Sequence, residues 1–140
     1  MGIEENKETV RRYIKEILNA LDYSHVDELA HADFFGMGGT IKTIEEHEKH
    51  FKAQREKIPD GENRLVEMIA EGDKVVAISM LSGTDVGGYF NRPPTNKKLN
   101  VKVIAVYTLK DGKIAKGEIL SDSLTLYQQL GFYPPLPEEN

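Results

Sequence analysis

The stretch Asp111-Gly-Lys-Ile-Ala-Lys-Gly-Glu-Ile-Leu-Ser-Asp122-Ser-Leu-Thr-Leu-Tyr-Gln-Gln-Leu-Gly131 carries a turn, a strand and a helix in succession. Asp111-Gly112 is a hairpin signal, because the turn that matches strand twist needs positive φ and glycine supplies it without steric cost. Residues 114–120 then form a strand. Asp122-Ser123 offers side-chain oxygens to the free N–H groups of a new helix, whose apolar positions Leu124, Tyr127 and Leu130 recur at helical spacing until Gly131 ends it. Asp122 thus falls where a strand stops and a helix starts. Two readings follow: a helix cap, or an acid facing a pocket between sheet and helices.

Upstream of the turn the hydrophobic period is two. Residues 65–70 and 74–82, joined by Glu71-Gly72-Asp73, form a hairpin rich in Val, Ile and Met, and residues 99–109 form a third strand after a long loop at 83–96. Leu99, Val101, Val103, Ala105, Tyr107 and Leu109 share one face of that third strand. The opposite face is polar at Lys98, Asn100 and Lys102 but apolar at Ile104 and Val106, so its far end is expected to be covered on both sides.

Before the strands the period is helical. Val10, Tyr13, Ile14, Ile17, Leu18 and Leu21 make one stripe along residues 4–21. Ser24 caps a short second helix through Val26, Leu29 and Ala30. Thr43 with Glu46 is a capping box for a third, which Pro59-Asp60-Gly61 stops, and Gly36-Met37-Gly38-Gly39 between them cannot hold regular structure. Helices, then antiparallel strands, then a closing helix predict an α+β fold, a curved antiparallel sheet wrapped around N-terminal helices. Tyr13, Ile17, Phe51, Met80 and Tyr107 are expected to be buried in it.

A chain of 140 residues suits one domain, taken as residues 1–133, with a Pro-rich acidic tail at 134–140. A net charge of −5 argues against a nucleic-acid or anionic-membrane surface. The absence of cysteine excludes disulfides, thiol nucleophiles and thiolate-bound metals. With no apolar run as long as a membrane span and no apolar signal region, a cytoplasmic location is expected. His47 and His50 stand at i, i+3 on the third helix, but no carboxylate shares their stripe, so no metal site is expected. The glycines at 83–88 lack the Lys-Ser/Thr pair and the strand-to-helix setting of a phosphate loop.

Seven segments together resemble a known family: Asn6-Lys-Glu-Thr-Val-Arg-Arg-Tyr13, Ala32-Asp-Phe-Phe35, Ile69-Ala-Glu-Gly-Asp-Lys-Val75, Ser82-Gly-Thr84, Pro93-Pro-Thr-Asn-Lys-Lys-Leu99, Asp111-Gly-Lys-Ile114, and Asp122-Ser-Leu124 with Gln128-Gln-Leu-Gly131. In order and spacing they are similar to the SnoaL-like polyketide cyclases of the nuclear transport factor 2-like superfamily. The resemblance covers almost the whole chain. It implies a cone-shaped α+β barrel, a deep and mostly apolar pocket, cofactor-free aldol ring closure and frequent homo-oligomers, and it places the family's acid/base aspartate on Asp122. Two departures stand out. Family members often carry a His-Trp pair where this chain has Gly117-Glu118, and commonly a His where it reads Gly36-Met37-Gly38.

The expected site has Asp122 as the proton-transferring group, its pKa raised by partial desolvation. Its pocket is expected to be lined by Tyr13, Met37, His47, Phe51, Arg55, Met80, Tyr107 and Glu118. On a regular fourth strand Glu118 and Asp122 would point to the same side, about 13 Å apart, so Glu118 is expected to orient substrate or pair with Arg55. Neither metal nor organic cofactor is expected. The partners expected are a small apolar or aromatic ligand and a second copy of the chain, in a two-fold dimer that covers Ile104 and Val106. Two functions remain open: a cofactor-independent cyclase or related isomerase, lyase or hydrolase, and a binding module that holds an apolar ligand without chemistry.

Overall fold

The Asp111-Gly112 turn has positive φ at both residues, 53° and 76°, and folds strand β4 (Lys113–Ser121) back on β3 (Lys98–Lys110). A second tight turn at Gly72, φ 59°, joins β1 (Glu62–Glu71) to β2 (Lys74–Thr84). The four strands form one antiparallel sheet in the order β1-β2-β3-β4, curved and unclosed. The structure is a computed structural model that describes residues 2–35 and 41–132; Met37 and the expected tail at 134–140 lie outside the described residues.

Helix α1 (Ile3–Arg12) runs directly into a π-helical segment, Tyr13–Asn19, in place of the single regular helix expected over residues 4–21. The wider turn is seen in the bond from Ala20 N–H to the Lys15 carbonyl at 3.0 Å, and Tyr13, Ile14 and Ile17 are buried along the segment, as the helical stripe predicted. The short α2 (Val26–Leu29) and a 3-10 turn (Ala32–Phe35) follow, then α3 (Ile44–Lys57). Thr43 Oγ1 accepts from Glu46 N–H at 3.1 Å, as the sequence predicted, while the Glu46 carboxylate reaches back one residue further than a capping box requires, to Lys42 N–H. After the sheet, α4 (Ser123–Leu130) ends at Gly131 in the left-handed conformation, φ 88°.

Register fixes which side chains face the helices. One cross-strand row on the inner face is Met68-Ala77-Ala105-Ile119, flanked by Leu65-Ser79-Val103-Ser121 and Ala70-Val75-Tyr107-Gly117. The two alanines leave room above the middle of the sheet. Around that room Val10, Tyr13, Ile14, Ile17, Leu29 and Phe34 pack on Val75, Tyr107, Leu109 and Ile114 as one core. Each fully buried aliphatic side chain there stabilises the fold by about 1.5–3 kcal/mol. No helix among the described residues is long and apolar enough to cross a membrane.

Two burial expectations need correction. Phe51 is half-buried, and Met80 is half-buried on the outer face, paired with Arg64 and Lys102, because the inward positions of β2 are Val75, Ala77 and Ser79.

Candidate functional site

Between the sheet and the helices lies a cavity of about 430 Å³. The π-helical segment contributes Tyr13, Ile14 and Leu18, α3 contributes Phe51, Gln54 and Arg55, and the sheet contributes Ala77, Ser79, Val101, Val103, Ala105 and Tyr107. Tyr13, Ser79, Ala105 and Tyr107 are buried, so they form its inner end. Gln54, Glu62, Ile119 and Ser121 are exposed and form its rim.

Three aromatic rings close the inner end. Tyr13 meets Phe34 edge-on at 5.4 Å and Tyr107 at 5.8 Å between centroids. Behind Tyr13 sits His47, fully buried, its ring tilted over Phe51 at 4.4 Å. The Tyr13 hydroxyl lies 3.3 Å from His47 Nε2, and the Tyr23 hydroxyl 2.7 Å from Nδ1. Burial pushes the His47 pKa down to about 4, with a smaller contribution from His50, so the imidazole is neutral at pH 7. Burial raises the phenols of Tyr13, Tyr23 and Tyr107 well above their usual range. These hydroxyls therefore act as hydrogen-bond donors and acceptors and stay protonated. His47 does not itself line the cavity, but it touches Tyr13 and Phe51, which do.

Arg55 does line the cavity, and its guanidinium donates to the Leu18 and Asn19 carbonyls at 3.2 and 3.0 Å. The expected pairing with Glu118 is not formed. Glu118 is 70% exposed on the outer face, 3.2 Å from Lys116 Nζ. A bulge explains the difference: Thr108 pairs with Lys116 and Leu109 with Ile114, so Ala115 is an extra residue. Beyond it the parity is reversed, which brings Gly117, Ile119 and Ser121 inward and sends Glu118 and Leu120 out.

Asp122 is exposed at the N-terminus of α4. Its carboxylate accepts from Thr125 N–H at 3.2 Å and from the Thr125 hydroxyl at 2.6 Å. These two bonds hold its pKa below the usual carboxylate range, whereas the sequence reading expected desolvation to raise it. Its neighbours Ser121 and Leu126 line the cavity. Sequence reasoning missed Tyr23, Ser79 and Asn63; the last lines the cavity, and its buried Oδ1 has no hydrogen-bond partner among the described residues.

Gly117 stands where the resemblance leads one to expect histidine, and the reason for glycine is steric. A Cβ there would meet Phe34 Cε2 at 2.9 Å and Tyr107 Cδ1 at 3.4 Å. The Phe34 ring occupies the space that a larger residue would fill. Gly117→His is accordingly expected to destabilise the protein by about 1–3 kcal/mol in urea unfolding, and Phe34→Ala in the same chain to recover part of that loss. Simple additivity of the two single changes would rule out this account.

Residues 8–130 match the family model for SnoaL-like polyketide cyclases, and the chain belongs to that family. Its fold is similar to TsrD from Streptomyces laurentii, with a TM-score of 0.81 and 23% identity over 94% of this chain and 98% of that one. It is also similar to IdmH from Streptomyces antibioticus, at 0.76 and 21% over 90% and 98%. A SnoaL-like polyketide cyclase from Agrobacterium tumefaciens gives 0.77 and 14% over 94% and 100%. At these identities the likeness is one of fold. A search of the curated proteins finds no match.

Proposed function

We propose that the protein takes an apolar, carbonyl-bearing small molecule into this cavity and acts on it without a cofactor, moving a proton as an aldol-type ring closure requires. The observation that carries the reading is the cavity itself: about 430 Å³, lined mostly by aliphatic and aromatic side chains, with Tyr13, Ser79 and Tyr107 at the inner end and Gln54, Arg55, Glu62 and Asn63 among its polar residues. Ligand sites of drug-sized molecules have that size and that mixture. Membership of the polyketide cyclase family supports the choice of substrate class. Asp122 is the proposed proton carrier, because Ser121 before it and Leu126 in the helix it caps both line the cavity, although Asp122 itself does not. In the free protein it is a helix cap, so catalysis requires the ligand to exclude water from it and raise its pKa.

A second reading, a binding module of the same fold, is favoured by the exposure of Asp122 and its bonds to Thr125. Exchange of the α-protons of 2-tetralone in D2O, followed by NMR, separates the two. Removal of an α-proton leaves an enolate, and a deuteron returns to the same carbon. The protein is expected to accelerate this exchange, and Asp122→Asn to slow it about a hundredfold with little loss of stability, since asparagine retains a capping oxygen. Unchanged exchange in the Asn variant would remove Asp122 from the mechanism. Binding of 2-tetralone without accelerated exchange would establish the module. In either reading we propose that the outer face of the sheet carries a second copy of the chain.

A further inference from the structure

Three residues that line the inner end of the cavity carry hydroxyls, in different hydrogen-bonding states. Tyr13, Ser79 and Tyr107 are 2%, 4% and 3% exposed. The hydroxyls of Ser79 and Tyr107 have no hydrogen-bond partner among the described residues, although both residues line the cavity. Tyr13 alone is backed by a polar chain, His47 and then Tyr23.

The direction of that chain follows from the tautomer of His47. A neutral imidazole has one N–H and one bare nitrogen, so one ring nitrogen donates and the other accepts. The contact from Tyr23 Oη to Nδ1 is the shorter, 2.7 Å, and the one at Nε2 the looser, 3.3 Å; the tautomer in which Tyr23 donates is the one that leaves Tyr13 a donor. With Tyr23 donating to Nδ1, the ring proton sits on Nε2 and is offered to Tyr13 Oη. The Tyr13 hydroxyl hydrogen is then not used on His47, and Tyr13 is a lining residue of the cavity.

We propose that the inner end of the cavity is a donor site for one acceptor oxygen of the ligand, so that an apolar ketone enters oxygen first. Tyr13 makes the bond, Tyr107 and Ser79 stand beside it, and His47 with Tyr23 are positioning residues that act through Tyr13. The inference rests on the reading of the cavity as the ligand site. A hydrocarbon of the same shape would leave buried hydroxyls unpaired, which is where the discrimination arises. Pre-set donors also favour the negative charge that a ketone oxygen gains on enolisation.

Affinities for 2-tetralone and tetralin, the same ring system with and without the oxygen, test this directly. The intact protein is expected to bind 2-tetralone at least about tenfold more tightly than tetralin. Tyr13→Phe is expected to erase most of that preference and leave tetralin affinity unchanged, which also shows that the variant is folded. Infrared spectra give the second readout. The carbonyl stretch of bound 2-tetralone should lie at lower wavenumber than in hexane, return towards the hexane position in Tyr13→Phe, and move partway in Tyr23→Phe, although Tyr23 does not line the cavity. Equal affinities for the two ligands with no band shift would overturn the donor site and leave the apolar cavity standing. A preference that survives Tyr13→Phe and is lost in Tyr107→Phe would overturn the assignment of the donor. Binding of neither ligand would overturn the donor site and the ligand-site reading together.

Discussion

Acidification from pH 7 to pH 4 is expected to remove about 3 kcal/mol of stability through His47 alone. In the folded protein the imidazole is fully buried, bonded to two phenols and packed on Phe51, and its pKa is pushed down to about 4. In the unfolded chain a histidine titrates near ~6.5. Between those values the unfolded state holds a proton that the folded state refuses, so stability falls as pH drops through about 6.5 and the loss is complete near the folded pKa. Asp22, Asp60, Asp122 and Glu16 have pKa values lowered by hydrogen bonds in the folded state. Their stabilisation is present above the unfolded carboxylate pKa and is lost as pH falls below about 4, so their window lies beneath that of His47. Urea unfolding at pH 7, 5.5 and 4.5 should therefore fall steeply in the native sequence. In His47→Gln, which itself costs about 1–3 kcal/mol at pH 7 through the two tyrosine hydroxyls, the same series should be nearly flat. An equal slope in both proteins would show that another group carries the acid sensitivity.

Much of the architecture was legible because it depends on neighbours in the chain. The Asp111-Gly112 turn, the Thr43 cap and the Gly131 stop each belong to a few adjacent residues, and β3 alternates along its whole length. The site was less legible, for three physical reasons. One inserted residue, Ala115, reverses every later side chain of β4, and this misplaced Glu118. The spacing of Ile114 and Ile119 held a clue, since residues five apart face opposite sides of a regular strand yet both are inward here. On β2, size misled the choice of Met80: the small residues Ala77 and Ser79 are inward because a cavity lies above them, and the larger Ile78 and Met80 face out. Finally, Tyr23 and Phe34 act across the fold, on His47 and beside Gly117, and no local pattern encodes contacts so distant in sequence.

Ile104→Asp is expected to convert a two-fold dimer into a monomer. On the outer face of the sheet Ile78, Ile104 and Leu120 form one cross-strand row, and Ile69, Val76 and Val106 form the next. Leu120 is 75% exposed, Ile69 52% and Ile104 39%, which is costly for adjacent aliphatic side chains left in water. Charges of both signs surround the rows: Arg64 and Lys102 beside Met80, Glu67 beside Ile78, and the Lys116–Glu118 pair. An apolar centre with a rim of mixed charge is self-complementary about a two-fold axis, so one patch can serve both copies, and a second copy is the occupant we propose. Ile104 lies within the apolar row, and symmetry places two aspartates in one interface. Burying an unpaired charge costs several kcal/mol, so the dissociation constant should rise more than about a hundredfold. Lys116→Ala, a change at the rim, should shift it only a few-fold. Sedimentation velocity across a concentration series reads both. The melting temperature of the native sequence should also rise with concentration, whereas that of Ile104→Asp should not. A native protein that sediments as a monomer at high concentration, or an Ile104→Asp variant as dimeric as its parent, would mean that this face is not where two copies meet.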